Sequence, residues 1–413
     1  MPFDMPFESQ IVADFAVIMA TAGIITFIFH KIKQPLILGY LIAGIIVGPY
    51  SPPFSLIHQP VVLDALAELG VLMLLFGIGL EFPLSKLRKL GLKTYGIIAI
   101  IELVMMFGVS FLAGVLLGWK PIDCLFLGAA LGSSSTVVIA KVLTGMGKMK
   151  DVSTTIMMGV LVVEDLAVVL ILSILTAVVG TETVSTTSIL LKLGIIVLFL
   201  AGALLIGLFA IPRFINWINK TKSGEDYTEQ DEVTLLVALG LCFGLAILAE
   251  ELAGLSMAMG AFLMGIMVAE SKVGEHIHHN VSRIKEMFGA VFFVSVGALI
   301  DISLFGEFFV PTLVVIFTML IGKVVGCGLG SRLMGYNWSI ACRVGLGLGQ
   351  IGEFAFIVAK AGQDMGVIND VLFPTIGMAV GVTTFITPYL IRLSYKINPN
   401  EWLHHRKQKR ANT

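Results

Sequence analysis

Gly159-Val160-Leu161-Val162-Val163-Glu164-Asp165-Leu166-Ala167-Val168-Val169-Leu170-Ile171 places two adjacent carboxylates in the middle of an apolar segment covering residues 153–180. About 20 apolar residues, each rising about 1.5 Å along a helix, cross a hydrocarbon core about 30 Å thick. The segment is therefore long enough to span a bilayer, with Glu164 and Asp165 near mid-depth. A carboxylate at that depth costs at least ~2.5 kcal/mol and needs a partner, a water-filled cavity or a proton. Two in a row point to an ion or proton site rather than to a static interhelical contact.

The rest of the chain has the same character. Of 413 residues, 57% are hydrophobic and only 13% charged, against roughly 25% charged in soluble domains. This composition predicts an all-α polytopic membrane protein. The acidic start, with Asp4 and Glu8, lacks the basic region of a signal peptide, so the first apolar stretch is expected to be a retained helix. A net charge of −1 argues against nucleic acid as a partner. Cys124, Cys242, Cys327 and Cys342 lie in apolar stretches without metal-ligand spacing and read as packing residues. No nucleophile–base pair or metal constellation is visible, so neither an enzyme nor a cofactor is expected.

Reading apolar runs against turn signals predicts about thirteen spans, at residues 9–29, 35–49, 62–80, 95–118, 121–146, 153–180, 186–212, 232–252, 256–270, 285–300, 307–331, 341–363 and 370–395. Cations gather in alternate loops: Lys31 and Lys33, then Lys86, Arg88, Lys89 and Lys93, then Lys148 and Lys150, then Arg213, Lys220 and Lys222. Lys272, Arg283 and Lys285, Arg332 and Arg343, and the tail Arg406-Lys407-Gln408-Lys409-Arg410 continue the pattern. The intervening stretches at 49–60 and 181–188 contain no Lys or Arg. The positive-inside rule then places the N-terminus outside and the C-terminus in the cytoplasm. The hydrophilic stretch 219–232 reads as a solvated linker.

The chain also repeats itself. Gly39-Tyr-Leu-Ile-Ala-Gly44-Ile-Ile-Val47 aligns with Gly260-Ala-Phe-Leu-Met-Gly265-Ile-Met-Val268. In nearly the same register, Gly77-Ile-Gly-Leu-Glu81 aligns with Gly297-Ala-Leu-Ile-Asp301, and Ala140-Lys141 with Ala359-Lys360. Spans 1–6 thus recur as spans 8–13 in opposite membrane orientation, giving two inverted six-helix repeats. That architecture belongs to transporters, with the site near the midplane where the repeats meet.

Two equivalent spans carry signals for interruption at similar depth. Span 5 contains Gly132-Ser133-Ser134-Ser135-Thr136, and span 12 contains Gly345-Leu-Gly347-Leu-Gly349-Gln350-Ile351-Gly352-Glu353. Glycines and hydroxyls let a helix break, and a break exposes amides and carbonyls that can bind ions. Crossed, discontinuous helices are the expectation. Lys323 lies deep in span 11 and is expected to be the cationic partner of the acidic pair; Glu353 is placed in or beside the site. Glu102 in span 4 ranks lower, as a second proton group or a neutral hydrogen-bonding acid. Asp14, Glu68, Asp123, Glu250 and Glu251 are assigned to the boundary region.

Together, Glu164-Asp165 in its apolar frame, Ser133-Ser-Ser-Thr136-Val-Val-Ile-Ala140, Phe292-Phe293-Val-Ser-Val-Gly297, Lys323 and Gly349-Gln350-Ile-Gly352-Glu353-Phe354-Ala355-Phe356 resemble the monovalent cation:proton antiporter-2 family, the Kef-type and NapA-type exchangers. The resemblance extends over about residues 10–395 and implies a homodimer in a lipid bilayer that exchanges Na⁺ or K⁺ for H⁺ by an elevator-type movement. It implies a dimerisation domain at 9–80 and 232–300, a core transport domain at 95–180 and 307–395, a linker helix and loop at 186–231, and a basic cytoplasmic tail at 396–413. It places ion and proton binding on Asp165, with Glu164 able to pair with Lys323.

The Glu-Asp pair departs from the commoner Asp-Asp, Asn-Asp and Gln-Asp forms, which leaves stoichiometry and cation identity open. The implied mechanism has Asp165 alternately binding a proton and a desolvated cation, with oxygens from Ser135, Thr136 and the broken span completing the coordination, and Ser134, Gln350 and Glu353 in support. The expected location is a prokaryotic plasma membrane. The competing readings are a gated cation channel or a membrane sensor on the same scaffold.

Overall fold

The computed structural model describes residues 7–32, 34–50, 56–57, 60–81, 92–179, 186–220, 227–301, 303 and 305–397. Several sequence features lie outside them: the acidic start at 1–6, Lys33, Lys86, Arg88 and Lys89, much of the two cation-free loops, the linker centre at 221–226, and the basic tail from 398. The described residues form helices joined by short turns, with no strand among them. Eight helices within them are long and apolar enough to cross a membrane, as expected of an integral membrane protein.

Contacts divide the chain into two compact units. One comprises residues 1–90 and 170–302, the other 91–169 and 303–413. The first contains α1 (Phe7–Lys31), α2 (Leu36–Val47), α3 (Pro60–Glu81), α8 (Thr186–Lys220), α9 (Tyr227–Ala253), α10 (Met257–Ala269) and α11 (Gly274–Ala298), with the end of α7 (Val152–Val179). Its centre is α3 packed against α10 and α11, with α2 beside α11. These helices approach nearly to backbone contact. A Cβ on Gly265 would lie 2.3 Å from the Phe76 carbonyl oxygen and 2.8 Å from the Gly79 Cα; one on Gly44 would lie 2.0 Å from the Val294 carbonyl oxygen. Small residues permit this approach, and packing rather than hydrophobic segregation holds helices together in lipid.

α11 differs from the predicted span 10, residues 285–300. The helix begins at Gly274, so Arg283 and Lys285 lie within it rather than in a loop. The reason lies in where the polar residues fall. Lys285 Nζ sits 2.6 Å from Glu81 Oε1 at the end of α3, and His278 Nε2 sits 3.6 Å from the same oxygen, so the polar turns of α11 have partners of their own. Burial tends to raise the Glu81 carboxyl, but the His278 and Lys285 contacts outweigh it and hold Glu81 below the usual glutamate range.

The second unit contains α4 (Leu92–Leu116), α5 (Pro121–Leu131), α6 (Thr136–Gly145), most of α7, α12 (Phe305–Leu333), α13 (Trp338–Gly347), α14 (Phe354–Asp364) and α15 (Leu372–Lys396). α12 packs on α4, α13 and α15, and α5 packs on α4 and α14. Ile98, Ile139, Met157, Leu161, Val344 and Leu348 are among the side chains that fill its core. Predicted spans 5 and 12 are each two helices: residues 132–135 separate α5 from α6, and residues 348–353 separate α13 from α14. At the first break Ser135 leaves helical geometry, with φ −80° and ψ 111°, and its hydroxyl accepts the Val138 amide at 3.5 Å. It thereby caps the helix that starts at Thr136.

Asp123, assigned from sequence to the boundary region, is 1% exposed and has a structural task. It accepts the Lys120 amide at 3.1 Å and the Asn369 amide at 2.8 Å, tying the start of α5 to the turn before α15.

The glycine contacts yield a stability prediction. Gly265→Ala introduces a methyl against fixed backbone and is expected to destabilise by about 1–3 kcal/mol. Gly240→Ala, where nothing lies within 4 Å of the added carbon, is expected to be neutral or stabilising. Thermal unfolding in detergent measures both, and equal midpoints for the two variants would contradict the packing account.

Candidate functional site

The side chains singled out from sequence gather within the second unit, around the break between α5 and α6. Lys323 on α12 is completely buried. Its Nζ lies 2.7 Å from Glu102 Oε1 on α4 and 3.1 Å from Glu164 Oε1 on α7, and it donates a hydrogen bond of 3.0 Å to the Gly132 carbonyl oxygen. Glu102 and Glu164 are also fully buried. Gly132 follows the last residue of α5, so the ammonium meets a helix C-terminus, where carbonyls lack intrahelical donors and the dipole is negative.

Glu102 is the residue that sequence reasoning ranked too low. Its depth within a span was visible, but which spans face one another was not. The structure places it nearer to Lys323 than Glu164 is, so one cation serves two acids.

Asp165, the neighbour of Glu164, is 4% exposed. Thr136 Oγ1 lies 3.5 Å from its Oδ2. Because Thr136 is the first residue of α6, the carboxylate sits at a helix N-terminus, where the dipole and unpaired amides favour negative charge.

The two breaks are hydrogen-bonded to each other. The Gly352 amide donates to the Ser133 carbonyl at 2.9 Å, the Ser134 hydroxyl donates to the Leu348 carbonyl at 3.2 Å, and the Gln350 side-chain amide donates to the Ser135 carbonyl at 2.9 Å. Only glycine suits position 352, since a Cβ there would lie 2.8 Å from the Ser134 carbonyl carbon. Glu353 stands at the start of α14, half-buried. Two threonines of α15 that drew no attention in the sequence complete the junction: Thr387 donates to Gln350 Oε1 at 2.8 Å, and the Ile351 amide donates to Thr383 Oγ1 at 3.3 Å.

A buried ammonium with two acid partners and a third acid on a helix N-terminus suits the handling of small cations and protons. Comparison with known proteins agrees: residues 16–392 match the family described as sodium/hydrogen exchanger, transmembrane. The chain belongs to that family. As an exchanger it is similar to the Na(+)/H(+)-K(+) antiporter GerN of Bacillus cereus, with 30% identity covering 88% of this chain and 91% of that protein. It is 28% identical to K(+) efflux antiporter 4 of Arabidopsis thaliana over 94% of this chain and 64% of that protein. It is 32% identical to the putative cation/proton antiporter YbaL of Escherichia coli over 85% of this chain and 62% of that protein. The solved structure of the sodium proton antiporter MjNhaP1 from Methanocaldococcus jannaschii at pH 8 shares its fold, with a TM-score of 0.72 and 17% identity over 95% of this chain and 99% of that one. The exchanger is thus a secondary transporter of the cation/proton antiporter type and not an enzyme, and these relatives do not favour the channel reading.

The ratio of two acids to one base predicts unequal substitutions. Glu102→Gln leaves Lys323 paired with Glu164 and is expected to cost about 1.5–3 kcal/mol, a hydrogen bond to a charged group. Lys323→Gln leaves two buried carboxylates without their cation and is expected to cost about 3–5 kcal/mol, as for breaking a buried pair. Thermal midpoints at neutral pH distinguish them, and a larger loss for Glu102→Gln would overturn the assignment of Lys323 as the shared centre.

Proposed function

We propose that the exchanger couples Na⁺ or K⁺ to H⁺ in opposite directions at Asp165, which binds the cation and the proton alternately. The observation that carries this reading is the placement of Asp165 at the N-terminus of α6, with Thr136 Oγ1 at 3.5 Å. Lys323 forms ion pairs with Glu102 and Glu164. In a partly dry cavity, desolvation raises proton affinity and a nearby cation lowers it, so the two substrates compete for one carboxylate. Oxygens of Thr136 and Ser135 contribute to the cation's surroundings. Glu164 belongs to the same site and is held by Lys323, while Ser134, Gln350 and Glu353 support the two breaks.

The movement we infer is of elevator type, with the second unit as the transport body and the first as the dimerisation scaffold of a homodimer. Its support is that Glu102, Thr136, Glu164, Asp165, Lys323 and Gln350 all belong to the second unit, so the site can travel intact. The thirteen-span reading with two inverted repeats and crossed half-helices fits the paired interruptions. It also fits the glycine contacts of the first unit, where Gly44 meets α11 at Gly297 and its repeat mate Gly265 meets α3 at Gly79. We place the protein in a prokaryotic plasma membrane; the distribution of Lys and Arg supports an N-terminus outside and a C-terminus in the cytoplasm.

Asp165→Asn is the decisive variant. In proteoliposomes loaded with a pH-sensitive dye, an imposed Na⁺ or K⁺ gradient is expected to drive proton flux through the wild type and none above liposome background through Asp165→Asn. Cation-driven proton flux retained by the variant rejects Asp165 as the shared site.

A further inference from the structure

The Gln350 side chain is fully buried, and both ends of its amide are engaged. Nε2 donates to the Ser135 carbonyl at 2.9 Å, and Oε1 accepts from the Thr387 hydroxyl at 2.8 Å. The network fixes the orientation: flipping the amide would set its oxygen against the Ser135 carbonyl oxygen, two acceptors facing each other. The Ser135 carbonyl thus selects the amide end that faces the break, and the Thr387 hydroxyl, donating to Oε1, holds that orientation from the other end. Its single hydroxyl proton has a competing acceptor, the Thr383 carbonyl at 2.6 Å in its own helix.

The Ser135 carbonyl already has a second donor. The Ile139 amide reaches it at 3.3 Å as the opening hydrogen bond of α6. A carbonyl oxygen offers two lone pairs, and both are occupied. The same peptide unit leads directly into Thr136, whose hydroxyl faces Asp165. Without Gln350, this carbonyl would have a lone pair free beside the helix N-terminus.

We propose that Gln350, oriented by Thr387, sets the cation preference of the transporter by withholding the Ser135 carbonyl from the ion. The inference rests on the reading of Asp165 and Thr136 as the cation site and adds a positioning pair to it. Selectivity among alkali cations depends on the number and field strength of the oxygens around the ion. Freeing one carbonyl adds an oxygen and favours the larger K⁺, which gathers more ligands than Na⁺. Thr387 acts only through Gln350; neither residue is a cation ligand.

The test uses the full chain in proteoliposomes and reads the KM for Na⁺ and for K⁺ separately from kcat. Thr387→Val removes the hydroxyl at nearly constant volume. It is expected to raise the ratio of KM for Na⁺ to KM for K⁺ by about fivefold, the worth of one hydrogen bond, with kcat changed less. Thr387→Ser restores the hydroxyl and is expected to return the wild-type ratio. A wild-type ratio in Thr387→Val overturns the proposal, as does an equal shift in Thr387→Ser, which would assign the effect to packing.

If Thr387→Val binds but does not transport, the concentrations of NaCl and KCl that half-saturate the thermal shift are compared instead, with the same two outcomes. If it is not recovered folded, Gln350→Leu, similar in size and lacking both donor and acceptor, is read in its place. Failure of the underlying site reading looks different: Asp165→Asn would then keep cation-driven flux, whatever the ratio in Thr387→Val.

Discussion

A single ammonium with no access to solvent dictates how the second unit is put together. Removing an ion from water costs several kcal/mol even after the surroundings relax, and only well-placed opposite charges and hydrogen bonds repay it. Around Lys323 this means Glu102 from α4, Glu164 from α7 and the Gly132 carbonyl at the end of α5. Four elements distant in sequence must therefore meet at one point. The packing of α12 on α4 and the burial of the α7 midpoint both follow from that requirement. The arrangement also gives the interruption of α5 a physical role, because the end of α5 turns the Gly132 carbonyl, at the negative end of the helix dipole, toward the ammonium.

Irregular backbone surrounded by apolar side chains survives only if its polar groups are satisfied within the protein. Each of the two breaks supplies what the other lacks. The Ser133 carbonyl takes the Gly352 amide, the Leu348 carbonyl takes the Ser134 hydroxyl, and the Ser135 carbonyl takes the Gln350 amide, while the Ile351 amide is left to Thr383 of α15. Small residues are thus needed on one strand of the junction for approach, as at Gly352, and hydroxyls on the other for donors, as at Ser134. Neither run of sequence is intelligible alone. The serines answer the glycines across the junction.

This explains which parts of the protein could be read from residues in order. Glu164, Asp165 and Lys323 stand out because each is costly in an apolar span, and the two breaks stand out because glycine and hydroxyl runs disrupt a long hydrophobic pattern. Glu102 was equally visible, yet its partner was not, because helix facing is a tertiary property that no linear pattern encodes. Thr383 and Thr387 gave no signal, since threonines in membrane helices commonly bond their own carbonyls, and both have such a carbonyl within reach as well. The start of α11 was missed for another reason. A window that weighs hydrophobicity ends a helix at the first charges, whereas the actual helix continues because Lys285 and His278 find Glu81.

Adjacent acids on a helix are not duplicates of one another. Successive side chains point about 100° apart around the axis, so Glu164 and Asp165 must address different neighbours. Glu164 turns to α12 and a permanent cation, while Asp165 turns to the first residue of α6 and a neutral hydroxyl. The first environment sets a charge against a charge; the second adds the favourable end of a helix dipole. Placing the two acids side by side on α7 lets one helix address both neighbours, with Glu164 joined through Lys323 to the Gly132 carbonyl and Asp165 to the start of α6.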